Sequence, residues 1–139
     1  MKVVRVDHVG IAMKEIGAIA PLLRVLFGGE EPRVEVVPDQ GVRTTAHRAG
    51  ETSLEFLEGT GADGPVDRFL ARRGSALHHI ALAVEDLETA LAELKKAGIP
   101  LIDEAPRRGA EGKRIAFLHP KGAGGILIEL CEAGPRSRE

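Results

Sequence analysis

The chain carries one pattern twice. Val6-Asp7-His8-Val9-Gly10-Ile11-Ala12 in the first half is matched by Leu77-His78-His79-Ile80-Ala81-Leu82-Ala83 in the second. Ser53-Leu54-Glu55-Phe56-Leu57 is likewise matched by Leu127-Ile128-Glu129-Leu130-Cys131. His8 and Glu55 lie 47 residues apart, and His79 and Glu129 lie 50 apart. An internal repeat constrains the fold more firmly than propensity does, because each copy must adopt the same unit and bury its apolar face in the same way. Two copies that each contribute a His and a Glu would build a two-His, two-carboxylate metal site where the repeats meet. Metal-assisted chemistry is therefore the leading expectation.

Alternation along the strands adds to this. A strand over Val3–Ala12 puts His8, Gly10 and Ala12 on one face and Val9 and Ile11 on the other, since side chains alternate with period two. In the second copy His79, Ala81 and Ala83 oppose Ile80, Leu82 and Val84. The larger apolar side chains suit packing under a helix. The other face carries a His followed by small residues, which leaves room beside a ligand where a filled core would want bulk.

A helix follows each strand. Asp86 is a good N-cap for one with Leu87, Leu91 and Leu94 on a single face and Gly98 as its stop. The first copy has Ile16, Ile19, Leu23 and Phe27 at helical spacing, and Pro21 delays that helix to near Gly17 or Ala18, with Gly28-Gly29 ending it. Strands are expected near Arg33–Val37, Val42–Arg48 and Thr52–Leu57 in copy one, and near Leu101–Asp103, Arg114–Leu118 and Gly125–Cys131 in copy two. Pro65–Arg73 reads as a linking helix, and the tail 133–139 as a frayed polar end. Each copy is thus βαβββ. The expected fold is α+β: two tandem modules, about 3–60 and 75–132, forming a curved, mixed, mostly antiparallel sheet around a metal-binding cleft in a single 139-residue domain.

Composition excludes several classes. A net charge of −2 with mixed signs argues against a nucleic-acid or membrane-surface binder. No apolar run approaches the ~18 residues that a spanning helix needs. The N-terminus enters a strand pattern at once, without a signal-peptide apolar region. A single cysteine, Cys131, excludes an internal disulfide and fits a reducing cytoplasm.

Taken singly, each candidate has an ordinary structural explanation. A lone His is more often a hydrogen-bonded structural residue than a ligand. A Glu at a strand end is more often solvent-facing. Two His and two Glu at repeat-related positions are harder to explain that way, because buried carboxylates are costly unless paired or bound to metal. His78 points away from His79 and reads as a structural or supporting group, and His47 and His119 read as structural or loop residues. Cys131 shares the face of Glu129 and suits a small buried apolar role. Gln40-Gly41 reads first as a turn and second as a substrate contact. Arg107, Arg108, Lys113, Arg114 and Lys121 form a basic cluster, either a solvated loop or an anion-binding one.

These strings resemble the vicinal oxygen chelate superfamily, which includes glyoxalase I, extradiol dioxygenases and antibiotic-resistance proteins. Within it they resemble the methylmalonyl-CoA epimerase family. Asp7-His8-Val9-Gly10-Ile11-Ala12, Pro38-Asp39-Gln40-Gly41-Val42, Gly109-Ala110-Glu111-Gly112-Lys113 and Phe117-Leu118-His119-Pro120-Lys121 leading to Ile128-Glu129-Leu130 carry the likeness. It implies metal ligands at His8, Glu55, His79 and Glu129, and a divalent ion, Co²⁺ first, with Ni²⁺, Zn²⁺ or Mn²⁺ as alternatives. It implies inversion at C2 of a CoA thioester through an enolate, with Glu129 as one acid/base group. Some members place a second Glu just beyond the Gln-Gly-Val turn, where this chain has Thr44, a poor base near neutral pH. Glu55 is therefore expected to serve as the second acid/base group. Gln40, Lys113 and Lys121 are expected at the substrate, since CoA phosphates call for cations. A homodimer and a place in propionate metabolism follow from the resemblance alone. The alternatives are a glyoxalase I-like metal-dependent isomerase and a non-catalytic ligand-binding module of the same fold.

Overall fold

A computed structural model of the chain describes residues 1–28 and 33–134. The expected stop at Gly29 and most of the expected frayed tail, 135–139, lie outside the described residues. Contacts gather the chain into two compact units, one of residues 8–78 and one of residues 1–7 with 79–139.

The first unit opens with strand β1 (Val3–Ala12), whose residues from His8 onward belong to it. Helix α1 (Ala20–Phe27), β2 (Glu35–Val37), β3 (Val42–Ala49), β4 (Thr52–Gly59) and helix α2 (Pro65–Arg73) follow. Within this unit the strands lie in the order β2-β3-β4-β1. β1 runs parallel to β4 with Gly10 opposite Glu55, and β3 is antiparallel to β4 with Ala46 opposite Glu55. Ile16, Leu23 and Phe56 form the core here, joined by Ile11 and Leu54. Of the two residues that alternation turns toward the helix, Val9 and Ile11, Ile11 joins this core.

Helix α1 starts later than its apolar spacing suggests. Pro21 has no N–H to donate to Gly17, so α-type bonding cannot run through Gly17–Pro21. The chain makes a 3₁₀ turn over Ile16–Ile19 instead, and the α-helix begins at Ala20 with Pro21 in its first turn. Strand β2 begins at Glu35, two residues after the expected Arg33. Helix α2 keeps its expected bounds. The Asp67 carboxylate accepts the Gly64 N–H at 3.2 Å, and a Cβ on Gly59 would collide with that carboxylate, so a side chain there would displace the cap.

The second unit takes its first strand from Val3–Asp7 of β1. It continues with β5 (Ala76–Val84, from His79), helix α3 (Leu87–Lys96), β6 (Arg107–Arg108), β7 (Arg114–Leu118) and β8 (Ile128–Glu132). The strand order is β1-β5-β8-β7-β6. β5 runs parallel to β8 with Ala81 opposite Glu129, and β7 is antiparallel to β8 with Phe117 opposite Glu129. Asp86 caps α3 by accepting the Thr89 N–H at 2.9 Å. Leu87, Ala90 and Leu91 bury against Val84, Ala116, Leu118 and Leu130.

Two strand expectations are corrected in this unit. Leu101–Asp103 is not a strand, and only Leu101 bridges, to Leu118. The N–H groups of Ile102 and Asp103 both donate to the Phe117 carbonyl, at 3.0 and 3.1 Å, while the Asp103 carboxylate accepts the Phe117 N–H. A side chain thus takes the place of a ladder acceptor and the pairing stops. The short edge strand falls instead at Arg107–Arg108, within the expected loop. β8 starts at Ile128 rather than Gly125, because Gly124 and Gly125 take positive φ values (66° and 88°) in the preceding turn.

The repeat is structural as well as textual. His8, Ile16, Arg43 and Ala46 each lie 71 residues before His79, Leu87, Arg114 and Phe117. Glu55 and Glu58 each lie 74 before Glu129 and Glu132. In both units the Glu pairs with the residue two past the His, Gly10 in one and Ala81 in the other. The three extra residues fall between β7 and β8, where a 3₁₀ turn at Pro120–Gly122 replaces the tight β3–β4 connection.

Candidate metal centre

In the unit of residues 8–78, parallel pairing with Gly10 opposite Glu55 sets His8 and Glu55 on one face of adjacent strands. His8 Nε2 lies 3.6 Å from Glu55 Oε2, with both side chains largely buried. Thr44 is buried near the start of β3, with Leu57 opposite it. Alternation puts it on the same face as Glu55.

In the other unit His79 Nε2 lies 3.8 Å from Glu129 Oε1, and both side chains are no more than 5% exposed. Phe117 presents an edge-on ring to His79, with centroids 5.9 Å apart. Ala83, Ile115, Phe117 and Cys131 pack together as a small core. Burial, with Asp7 and Glu129 nearby, pushes the Cys131 thiol up to about 12. It is therefore protonated at neutral pH, and its Sγ lies 3.7 Å from the Leu82 carbonyl, in keeping with a packing role.

The donor set in each unit fits a divalent metal. An imidazole nitrogen and a carboxylate oxygen each bind such an ion at about 2.1 Å, so two of them on one ion stand at most about 4.2 Å apart. Both separations fall inside that limit, and both exceed a hydrogen bond. Burial of a carboxylate beside a His in two repeat-related places is the arrangement that ligation makes affordable.

The remaining candidates stand as follows. Gln40 ends a 3₁₀ turn, half-buried, and Gly41 follows at φ 63° with its carbonyl accepting the Thr60 N–H. Lys121 is exposed in the Pro120–Gly122 turn, where its backbone N–H donates to His119 Nδ1. That bond makes His119 a turn cap. His78 packs edge-on against Phe69 at 4.8 Å, and His47 stacks on Phe27 at 5.0 Å. Burial lowers the pKa of both, so these two rings are neutral packing groups.

Sequence reasoning assigned no role to Asp7. Asp7 is only 8% exposed, and its carboxylate lies 3.6 Å from Lys113 Nζ and 3.3 Å from Arg5. An acidic residue inside an apolar strand was the available signal. Lys113 itself closes a tight turn, with Gly109 N–H donating to the Lys113 carbonyl at 2.8 Å, and Gly109 abuts Ile115 too closely for a side chain. The basic loop thus places one of its cations over a buried carboxylate instead of leaving it wholly solvated.

A family model described as the glyoxalase/bleomycin resistance protein/dioxygenase superfamily matches residues 7–117. The chain is 36% identical over 128 residues to the ethylmalonyl-CoA/methylmalonyl-CoA epimerase of Cereibacter sphaeroides, covering 91% of this chain and 96% of that protein. The chain belongs to the methylmalonyl-CoA epimerase family of that superfamily. Its glyoxalase-type α+β fold, two repeats of one βαβββ unit, follows the family. Among solved structures, a Streptomyces coelicolor methylmalonyl-CoA epimerase variant in complex with 2-nitronate-propionyl-CoA superposes with a TM-score of 0.88 at 34% identity, covering 99% of this chain and 100% of that one. An uncharacterized Bacillus subtilis protein, YqjC, is 40% identical over 128 residues, covering 92% and 91% of the two chains.

Proposed function

We propose that the chain interconverts (2R)- and (2S)-methylmalonyl-CoA, with one divalent ion, Co²⁺ first, held jointly by His8, Glu55, His79 and Glu129. The observation that carries the reading is the duplicated buried His–Glu pair, in identical strand register, in a chain similar over nearly its whole length to epimerases of this substrate. The ion, when bound, supplies a Lewis acid for charge that develops on the thioester oxygen.

The chain's own residues move the proton. C2 lies between a thioester and a carboxylate, so its proton is acidic enough for a carboxylate base. Glu129 Oε takes that proton from one face, and Glu55 delivers another from the opposite face. The roles reverse in the opposite direction. The Thr44 hydroxyl is too weak a base to replace either Glu near neutral pH. Its burial on the Glu55 face makes it a wall of the site. Phe117 and the small core around it exclude water on the Glu129 side, which keeps the exchanging proton with the carboxylate. Lys113, held by Asp7, offers an ammonium to an anionic group of the CoA thioester, and Gln40 and Lys121 provide further polar contacts. The same reading carries a homodimer, which light scattering tests.

The deciding experiment follows deuterium uptake at C2 of methylmalonyl-CoA in D₂O, with protein before and after chelation and after Co²⁺ is restored. Metal-dependent exchange with interconversion of the two epimers is expected. Absence of exchange in Co²⁺-loaded protein overturns the reading and turns attention to glutathione hemithioacetals, the glyoxalase I-type substrate.

A further inference from the structure

The repeat duplicates more than the ligand pair. Three residues beyond Glu55 on β4 stands Glu58, and three beyond Glu129 on β8 stands Glu132. One oxygen of Glu58 accepts the Ile16 N–H at 2.9 Å, and its other oxygen lies 3.5 Å from Arg43 Nη1. One oxygen of Glu132 accepts the Leu87 N–H at 3.4 Å, and its other oxygen accepts from Arg114 Nη1 at 3.0 Å. Ile16 and Leu87 occupy the same place in the repeat, eight residues past the ligand His, where the chain has left its strand and turned into a helix. Arg43 and Arg114 also correspond: Arg43 lies directly across the ladder from Glu58, and Arg114, next to the Ile115–Cys131 rung, pairs with Glu132 at 3.0 Å.

The device sits where the ladder gives out. In the 8–78 unit the last rung past the paired residues is Met13 N–H to the Leu57 carbonyl at 2.8 Å, and in the other it is Ala133 N–H to the Val84 carbonyl at 2.7 Å. Beyond those rungs apolar packing joins the ligand strand to the segment that follows the His strand, and the Glu carboxylate adds a directional bond that fixes the register of one against the other. Glu132 also faces the N-terminus of the α-helix that Leu87 opens, where its charge is favoured, whereas Glu58 caps the first N–H of a 3₁₀ turn. The register it secures is the one that brings His and Glu together, and a one-residue slip would turn one ligand to the opposite face. Arg43 and Arg114 hold the carboxylates in the orientation that offers an oxygen to the N–H.

We infer that Glu58 and Glu132 are positioning residues for the metal ligands, each fixing the His-to-Glu separation of its own unit through a backbone N–H. The inference rests on the proposed metal site, and the test separates the two. Co²⁺ affinity and the visible d–d absorption are measured for the parent protein and for Glu58→Ala, Glu132→Ala, Glu58→Gln and Glu132→Gln. The alanine variants are expected to bind Co²⁺ about 10- to 100-fold more weakly, the range typical of lost support behind metal ligands, with an altered spectrum. The glutamine variants still offer an oxygen to the N–H and are expected to recover most of the affinity. Folded alanine variants with parental affinity and spectrum, whatever their melting temperature, overturn the inference, as do glutamine variants no better than alanine. If an alanine variant does not fold, Arg43→Met or Arg114→Met decides. Each is expected to weaken Co²⁺ binding, and parental affinity in both overturns the inference. A parent protein that binds no Co²⁺ overturns the metal reading itself.

Discussion

The two units solve one geometric problem with different surroundings. Both set a His and a Glu on adjacent parallel strands, 3.6 Å apart in one and 3.8 Å in the other. Opposite Glu129 stands Phe117, buried against His79, whereas opposite Glu55 stands Ala46, which is exposed. The His79–Glu129 pair is accordingly the drier of the two, and the His8–Glu55 pair the more open. A carboxylate in a dry site exchanges protons with its substrate rather than with water, while one in an open site can leave room for a bulky ligand. The duplication has kept the His–Glu pairs and varied the walls.

The largest break in this comparison is expected from Glu129→Gln. Loss of the drier acid/base group, with a neutral amide oxygen left in place of the carboxylate, should lower epimerisation by about a hundred- to ten-thousand-fold, measured as C2 deuterium exchange. Glu55→Gln should cost less, about a hundredfold. It should leave metal bound and block exchange in one stereochemical sense only, and unchanged epimerisation there would remove Glu55 from the proton path. Ala46→Phe copies the wall of the drier unit into the open one. Its expected effect is on KM, raised about tenfold, an energy of about 1.4 kcal/mol, with Co²⁺ affinity unchanged in a titration. Should kcat fall and KM stay, the open face is not where substrate sits.

The smallest effect concerns pH. Burial holds the His47 pKa below its ordinary 6.5, so between 6.5 and the lower folded value the unfolded chain binds a proton that the folded chain refuses. Stability is full above 6.5 and erodes as pH falls through that window. A melting series in pH is expected to show this slope, to which His78, lowered by burial in the same direction, also contributes, and His47→Leu is expected to lessen it.

Much of this was legible in the residues. The strand at Val3–Ala12, the linking helix Pro65–Arg73, the cap at Asp86 and the strand at Arg114–Leu118 rest on local patterning that tertiary packing reinforces. The pairing of His8 with Glu55 and of His79 with Glu129 followed from the repeat, because a duplicated unit places equivalent residues equivalently. What stayed hidden depends on single atoms. The missing N–H of Pro21 moved a helix start, and the Asp103 carboxylate ended a strand that alternation alone would extend. The role of Asp7 needed a partner 106 residues away, Lys113, which no local pattern reveals. Glu58 and Glu132 escaped for a related reason. Their spacing from Glu55 and Glu129 was visible, but the amide that each one caps is seen only once the chain has turned.

The assignment of residues 1–7 to the unit otherwise built from 79–139 has a consequence for any attempt to separate the repeats. A gene cut at the midpoint, near Gly74, would strand the outermost strand of the second unit on the first fragment, together with Asp7, the buried carboxylate beneath Lys113. The two halves would then be complementary fragments rather than miniature proteins. Their recovery of a common fold on mixing, and not the stability of either alone, would measure how the ancestral duplication became a single chain.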